Sequence, residues 1–235
     1  MNVVITGAGR GFGRTLARRF AEQGATVVVT ARTLAAARRT RDLLPDAHAL
    51  QCDLADPASV RRCAEQAGEL LGHVDVLVNN GAGFLAESQA DDDAIVRTIL
   101  SGAAGTVLMT QHLLPLLRRS ERADVVTIVS LEAESRSDPA HIAHAAFHAA
   151  KAGQGRYAEI MSQRLRPEGI RMISLYPPDF AGDSGDSGDS DDFGDDGTRD
   201  GMLTARSVAD CVLFAVNQPR DCFIRSFHFE PLPAG

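Results

Sequence analysis

Glycines crowd the turn that follows the first apolar run of the chain. The string Thr6-Gly7-Ala8-Gly9-Arg10-Gly11-Phe12-Gly13 comes directly after Val3-Val4-Ile5 and opens a stretch of helical period. Glycines let the backbone come close to a pyrophosphate, which the free N–H groups and the dipole of a helix N-terminus then stabilise. The position between strand and helix favours a dinucleotide site over a plain turn. The candidate cofactor-binding residues of this turn are Gly7, Gly11, Phe12 and Gly13.

Lys151 is the one lysine of the chain, against 23 arginines. Lysine is a compact donor whose pKa can be lowered, whereas arginine is a wide planar fork that stays protonated. A chain that keeps a single lysine is expected to use it for work that a guanidinium cannot do. Lys151 ends the string Phe147-His148-Ala149-Ala150-Lys151, so the neighbouring side chains become candidates as well.

Short apolar runs alternate with longer helical patterns along the chain. Runs that are apolar on both faces are typical of parallel strands covered by helices, and their alternation with helices predicts a doubly wound α/β sheet. We expect one domain over residues 1–235, with about seven strands and helices on both faces. The predicted strands are Asn2–Ile5, Val27–Val29, Ala49–Cys52, Val74–Val78, Val125–Val129, Ile170–Leu175 and a short one near Cys222–Phe227. The predicted helices are Arg14–Glu22, Leu34–Leu44, Pro57–Leu71, one from about Asp92 into Gly105–Arg119, one from near Asp138-Pro139 that carries Lys151, and Ser207–Asn217.

Composition narrows the function classes. With 44% hydrophobic and 23% charged residues, the chain is typical of a soluble globular protein. Trp is absent and aromatic residues make up only 5%, which disfavours a stacking platform for nucleic acid. We expect no metal, because the four cysteines form no CxxC pair or Cys/His set with ligand spacing, and free thiols suit the cytoplasm. We also expect no membrane-spanning run and no signal peptide.

Residues 179–200 carry nine aspartates and one arginine, whereas the whole chain has a formal net charge of −7. A near three-residue repeat of Gly, Asp and Ser runs over 182–190, and such a composition predicts a mobile segment. Two interpretations of this insert, at about 179–201, stay open. It is either an inert solubilising stretch or a loop whose charge attracts a cationic substrate, such as an aminosugar or an amine-bearing natural product.

The motifs that follow successive strands resemble the short-chain dehydrogenase/reductase family, in its single-domain branch. The Thr-Gly-x-x-x-Gly-x-Gly spacing belongs to the family's first turn, and Asp53-Leu54 matches the pair that holds adenine. Asn79-Asn80-Gly81 matches its Asn-Asn-Ala-Gly motif with one small-residue change, and Pro177-Pro178 matches its Pro-Gly. The resemblance implies a Rossmann-like fold. The cofactor-binding residues that it adds are Asp53, Leu54, Asn79, Gly81, Lys151 and Pro177.

The residue after the second strand bears on which nicotinamide cofactor is bound. An acid there would bind the ribose 2′-OH of NAD, whereas arginine would pair with the 2′-phosphate of NADP. The chain has Thr30-Ala31-Arg32 at this point, and Arg10 in the glycine turn can reach the same phosphate. The family's carbonyl reductases carry a basic residue at both places. NADP(H) is therefore the expected cofactor, with two solvated surface arginines as the alternative.

The resemblance implies a catalytic tyrosine that transfers the carbonyl proton, a serine that polarises the carbonyl and a lysine that binds the nicotinamide ribose. The chain keeps Ser130 and Lys151, but Phe147 stands in the tyrosine slot, and a relay asparagine would align with Gly102. A phenyl ring cannot donate a proton. Loss of a general acid typically costs on the order of 10²–10⁴ in rate.

Three explanations of the missing tyrosine stay open. In the first, another side chain supplies the proton: His144, three residues before Phe147, or His148, with His141 and Glu132 as further options. In the second, the substrate or a bound water supplies it. In the third, the chain binds NADP(H) without catalysis.

The sequence therefore predicts an NADP(H)-dependent oxidoreductase that reduces a carbonyl of a small molecule. Specialised biosynthetic intermediates are one class of substrate that fits this prediction. The alternative is a non-catalytic NADP(H)-binding sensor or scaffold on the same fold. A dehydratase or epimerase would also need the tyrosine base. We expect no nucleic-acid or membrane partner, and the resemblance implies a homodimer or homotetramer built through the two long helices near 105–119 and 147–166.

Overall fold

Seven parallel strands form the central sheet. The computed structural model describes residues 1–134, 143–178 and 203–230. The strand order is β3-β2-β1-β4-β5-β6-β7, and every neighbouring pair is parallel. The strands are β1 (Asn2–Ile5), β2 (Thr26–Ala31), β3 (Ala47–Gln51), β4 (Val76–Asn79), β5 (Asp124–Ile128), β6 (Arg171–Tyr176) and β7 (Ser226–His228). The predicted doubly wound α/β fold is confirmed.

Helices cover both faces of the sheet. They are α1 (Gly11–Glu22), α2 (Leu34–Arg41), α3 (Pro57–Leu71), α4 (Asp92–Ile99), α5 (Gly105–Leu117), α6 (Ala145–Leu165) and α7 (Ala205–Val216). Side chains of α1, α2 and α7 form one apolar cluster with one face of the sheet, and those of α3, α5 and α6 form a second cluster with the other. Strand β1 shows why: Val3 and Ile5 pack in the first cluster and Val4 in the second, because successive side chains point to opposite faces.

Helix α3 begins and ends where the sequence predicts. The Asp56 carboxylate accepts a hydrogen bond from the Ala58 N–H at 2.9 Å, and Pro57 occupies the first helical position. Gly72 follows the last turn with a φ of +72°.

Several other predicted boundaries are wrong by one to four residues. Helix α1 begins at Gly11 rather than Arg14, so the glycine turn itself supplies its first turn. Helix α2 ends at Arg41 rather than Leu44, because Leu44 precedes Pro45 and is pushed out of the helical region. Strand β7 begins at Ser226 rather than near Cys222, whose carbonyl accepts a hydrogen bond from the Arg171 guanidinium at 2.7 Å.

The helix that carries Lys151 begins at Ala145, and its predicted start near Asp138-Pro139 is wrong. Ala143 pairs with Ala86 in an antiparallel bridge, and the His144 N–H donates to the Leu85 carbonyl at 2.8 Å. These contacts keep the chain extended until the helix begins. Asp138 and Pro139 themselves lie outside the described residues, as does the acidic insert.

Helices α4 and α5 are joined by a wider π turn, Leu100–Ala104. The combined stretch, Asp92–Leu117, has 26 residues and passes a test of length and hydropathy for a membrane span. Apolar helices inside globular domains pass the same test, and α5 packs in the cluster beneath the sheet. The expectation that the chain has no membrane partner stays a prediction.

Candidate active site

The glycine turn is packed so closely that side chains would not fit. A Cβ on Gly7 would lie 2.6 Å from the Gly81 Cα, and a Cβ on Gly13 would lie 2.5 Å from the Gly7 carbonyl oxygen. Gly7 also has a φ of +65°, which favours glycine. The first turn of α1 therefore presents bare backbone at the carboxyl end of the sheet, as a pyrophosphate would require.

Thr6 and Asn80, which sequence reasoning missed, hold this turn against β4. The Thr6 hydroxyl accepts hydrogen bonds from the N–H groups of Asn80 (3.0 Å) and Gly81 (2.9 Å). The Asn80 amide donates to the Thr6 carbonyl at 3.0 Å. The signal was present in the sequence, because both residues flank glycines after neighbouring strands. The floor of the site is thus fixed before any ligand binds.

Arg10 is the N-cap residue of α1, and it is exposed, with an extended backbone. Among the described residues, no side chain caps this end of the helix, and its first turn contains no acid. Arg14, also missed, is buried and donates to the Gly9 carbonyl at 2.7 Å and to the Thr40 hydroxyl at 3.0 Å. An uncapped, electropositive helix end over a bare backbone fits the pyrophosphate of a dinucleotide. Phe12 contributes its backbone here, since its ring is buried in the core.

Arg10 and Arg32, the two predicted phosphate-binding arginines, are neighbours in sequence of two residues that pack against each other, Gly9 and Ala31. A Cβ on Gly9, next to Arg10, would lie 2.9 Å from the Ala31 Cβ, next to Arg32. Both arginines are exposed. The structure therefore brings the glycine turn and the end of β2 together, as the sequence predicts.

Asp53 lies at the end of β3 with its carboxylate already engaged. One oxygen accepts from the Ala55 N–H at 3.0 Å, and the other pairs with Arg97 of α4. Leu54 is half-buried, and its Cδ1 would lie 2.6 Å from a Cβ on Gly81. Their adenine contacts stay predictions, but both residues border the same end of the sheet.

Asn79 ends β4, and its cofactor contact stays a prediction. It is 1% exposed, and its amide donates to the Thr110 hydroxyl of α5 at 2.9 Å. In this arrangement its side chain joins β4 to α5. Pro177 is at the carboxyl end of β6, where its carbonyl accepts from the Leu131 N–H at 3.0 Å.

Lys151 is buried in the middle of the site. It is 5% exposed, its Nζ donates to the Ile128 carbonyl at 2.9 Å, and the same nitrogen lies 5.6 Å from the centre of the Phe147 ring. The bond to Ile128 fixes the ammonium just below the end of β5. Burial of a charge requires such partners, so the position is built around this side chain.

Two phenylalanine rings line the space next to Lys151. Phe147 is 9% exposed and meets Phe84 edge-on, with ring centres 5.2 Å apart. Phe84, which follows β4 and was not predicted, is 50% exposed. The phenyl ring at the position where the resemblance implies a tyrosine thus forms an aromatic pair with Phe84, and its other neighbour is Lys151.

Ser130 has a strained backbone. Its φ is +121°, a value that non-glycine residues rarely adopt. The N–H groups of Val129 and Leu131 on either side donate to the carbonyls of Leu175 and Pro177 at 2.8 and 3.0 Å, which holds the turn in place. Strain of this kind is concentrated at functional sites.

His144 is the N-cap of α6. Its Nδ1 accepts a hydrogen bond from the Ala146 N–H at 3.1 Å, so a neutral ring carries its proton on Nε2. His144 precedes Phe147 by one turn, and its backbone contacts Leu85 beside Phe84. The ring of His148 lies 6.5 Å from that of Phe147. His141 lies outside the described residues, as does the side chain of Glu132.

Gly102 is the position at which the resemblance implies a relay asparagine. It lies in the π turn, where a Cβ would be 2.8 Å from the Ala150 Cβ of α6. Gln154, also of α6, donates its amide to the Gly102 carbonyl at 2.9 Å and to the Thr106 hydroxyl at 2.8 Å. The close approach of α6 therefore leaves no room for a side chain at Gly102, and Gln154 covers its carbonyl.

The two tyrosines lie away from the tyrosine slot. Burial, followed by the nearby Glu134 charge, raises the pKa of Tyr176, whose ring stacks on His228 at 4.5 Å. Burial also raises the pKa of Tyr157 on α6. Both hydroxyls therefore stay protonated at neutral pH, and neither replaces Phe147 by position.

The arrangement of a bare glycine turn, a buried lysine and a strained serine around the carboxyl ends of β1, β4 and β5 has a counterpart in known proteins. A family model described as short chain dehydrogenase matches residues 1–191. The chain belongs to this family. The family's members are oxidoreductases, and a nicotinamide dinucleotide is the cofactor that this membership supports.

Curated relatives include reductases. The chain is 30% identical over 190 residues to a sepiapterin reductase of Chlorobaculum tepidum, which covers 74% of the chain and 75% of that protein. It is 35% identical over 159 residues to the granaticin polyketide synthase putative ketoacyl reductase 2 of Streptomyces violaceoruber, covering 65% and 64%. Against other curated relatives the chain spans only about half of their length, 47%.

A solved structure supports the fold. A metagenomic short-chain oxidoreductase in complex with NADP superposes with a TM-score of 0.79 at 22% identity, over 99% of this chain and 97% of that one. At this identity the likeness concerns the architecture alone.

Proposed function

We propose that the chain is an NADP(H)-dependent reductase of a small-molecule carbonyl in which a group other than tyrosine supplies the proton. The observation that carries the proposal is the buried ammonium of Lys151, held 2.9 Å from the Ile128 carbonyl beneath Phe147. A charge is costly to bury, and a buried charge at the carboxyl end of a parallel sheet is a candidate for binding a ligand. When bound, a reduced nicotinamide supplies the hydride.

The residues of the chain divide the remaining work. Gly7, Gly13 and the N-terminus of α1 hold the pyrophosphate, and Lys151 holds the nicotinamide ribose. The Ser130 hydroxyl donates to the substrate carbonyl from its strained turn. The aromatic pair Phe84 and Phe147 excludes water and orients the substrate. An apolar or planar substrate body suits this wall, and attraction of a cationic substrate by the acidic insert stays a prediction.

His144 is the proposed proton source. Its capping bond directs Nδ1 to the Ala146 N–H, which leaves the Nε2 proton as the donor, and its backbone is bonded to Leu85, next to Phe84. A neutral imidazole polarises the carbonyl by donating this hydrogen bond, and the Nε2 proton that passes to the alkoxide is replaced from water. His148 is the second candidate, and its ring centre lies 6.5 Å from that of Phe147.

The test measures NADPH oxidation against a panel of neutral and amine-bearing ketones and aldehydes. We expect turnover with at least one class, and a loss of about 10²-fold in His144→Asn. Asparagine keeps a capping oxygen, so this variant should stay as stable as the wild type. His112→Asn, at an exposed histidine of α5, serves as the matched control, and His148→Asn tests the second candidate. Equal turnover in His144→Asn and the wild type would remove His144 from the mechanism.

A non-catalytic NADP(H)-binding protein is the second candidate, favoured by the phenyl ring in the tyrosine slot. Tight NADPH binding without oxidation by any carbonyl of the panel would select it. A role in specialised biosynthesis, a cytoplasmic location, a single domain and assembly as a homodimer or homotetramer stay predictions.

A further inference from the structure

A cavity of about 520 Å³ opens at the free edge of the sheet, beside strand β3. Helices α2 and α3 contribute its walls, and Arg32 and Asp53 line it from the ends of β2 and β3. The cavity therefore continues from the edge of the sheet to the place where the cofactor's adenosine end is expected.

The register of α2 directs one of its three arginines into this cavity. Leu34 and Arg38 are four residues apart, so they share a helix face, and both line the cavity. Arg39 and Arg41 are not among the lining residues, since a helix rotates by about 100° per residue. Arg38 thus lines the same cavity as Arg32.

The acids around the cavity already have partners. Asp53 pairs with Arg97, and Asp56 lies 3.8 Å from Arg62. For Arg32 and Arg38, by contrast, the described part of the chain provides no carboxylate partner within 4.0 Å. Two exposed guanidiniums in one cavity, without a neutralising acid, favour an anion there.

We propose that Arg38 is a specificity-determining residue which, together with Arg32, binds the 2′-phosphate of NADP(H). The inference rests on the proposed function and extends it, because it assigns part of the cofactor preference to α2 rather than to the turn after β2. A guanidinium fork suits a phosphate, and each charge-assisted hydrogen bond contributes to affinity only when the phosphate is present.

Equilibrium binding tests the proposal without any carbonyl substrate. The titrants are NADPH, NADH, and two fragments of the adenine end, 2′,5′-ADP and 5′-AMP. In Arg38→Gln we expect the dissociation constants of NADPH and 2′,5′-ADP to rise about tenfold or more, and those of NADH and 5′-AMP to change less than twofold. Arg39→Gln, on the neighbouring helix face, should leave all four unchanged.

The outcomes separate this inference from the proposed function. If the wild type binds NADPH but Arg38→Gln binds all four ligands as the wild type does, or loses NADPH and NADH equally, Arg38 has no role in selectivity. A wild type that prefers NADH also overturns the inference, although a reductase would survive that result. If no nicotinamide dinucleotide binds, the proposed function fails.

Discussion

Replacing Gly102 with asparagine would place the family's relay residue in the π turn of this chain. The structure predicts that the replacement is destabilising rather than helpful. The new Cβ would lie 2.8 Å from the Ala150 Cβ, a distance that real Cβ atoms essentially never show, and a methyl group has no rotamer that avoids the contact. Helix α6 would have to move away, which would also break the bond from Gln154 to the Gly102 carbonyl.

Overpacking of this kind typically costs about 1–3 kcal/mol. For a chain of this length each kcal/mol shifts the melting temperature by about 2–4 °C, so we expect Gly102→Asn to melt about 2–12 °C lower. Adding Ala150→Gly removes the opposing methyl. That second change alone costs about 1 kcal/mol of helix stability, yet in the double variant it should restore part of the loss.

The assay is reversible thermal or urea unfolding of the wild type, the two single variants and the double variant, with Ala152→Asn on the exposed side of α6 as the control. Gly102→Asn unfolding like the wild type, or additive effects of the two changes, would show that the approach of α6 does not explain the missing asparagine.

Three further predictions concern the site and its support. The double variant His144→Asn/Phe147→Tyr should turn over at least tenfold faster than His144→Asn alone, because the phenol supplies a proton. Equal rates in these two variants would mean that proton transfer does not limit turnover. Asp124→Ala should lower stability by about 3–5 kcal/mol in urea unfolding, because it strands the buried Arg171 that pairs with both carboxylate oxygens at 2.7 Å; a loss below 1 kcal/mol would contradict this. Burial raises the pKa of Asp75, but hydrogen bonds from Ser120 and the Asn2 N–H outweigh it and leave the pKa below its usual value. The charged form therefore stabilises the fold above about pH 4, and the stability gap between wild type and Asp75→Asn should shrink as the pH falls below that; a gap that is constant with pH would refute it.

The sequence predicts most of the fold because strands and helices here differ in period and have clear ends. Asp56 and Pro57 mark the start of α3, and the apolar run of β1 is buried on both faces as predicted. Boundaries fail where a tertiary contact decides them. Arg171 donates a hydrogen bond to the carbonyl of Cys222, so β7 begins later than predicted. The bridge between Ala86 and Ala143 keeps the chain extended, so α6 also begins later than predicted.

The candidate site was predicted by residue type but not by its supporting contacts. Glycine spacing identified the turn after β1, yet the bonds that lock it come from Thr6, Asn80 and Arg14, whose partners are distant in sequence. Neither the strained backbone at Ser130 nor the π turn at Gly102 can be predicted from composition or from the period of the hydrophobic residues. The first depends on bonds to the end of β6 and the second on the close approach of α6, and no local pattern encodes either contact.

The most direct test of the account follows deuterium from NADPH labelled at the reactive carbon of the nicotinamide, with the wild-type chain and the carbonyl panel. The account predicts an alcohol product that carries one deuterium for each NADPH consumed, although Phe147 stands where a tyrosine would be. Tight binding of NADPH with no deuterium in any product would contradict the proposed reductase and leave a cofactor-binding protein.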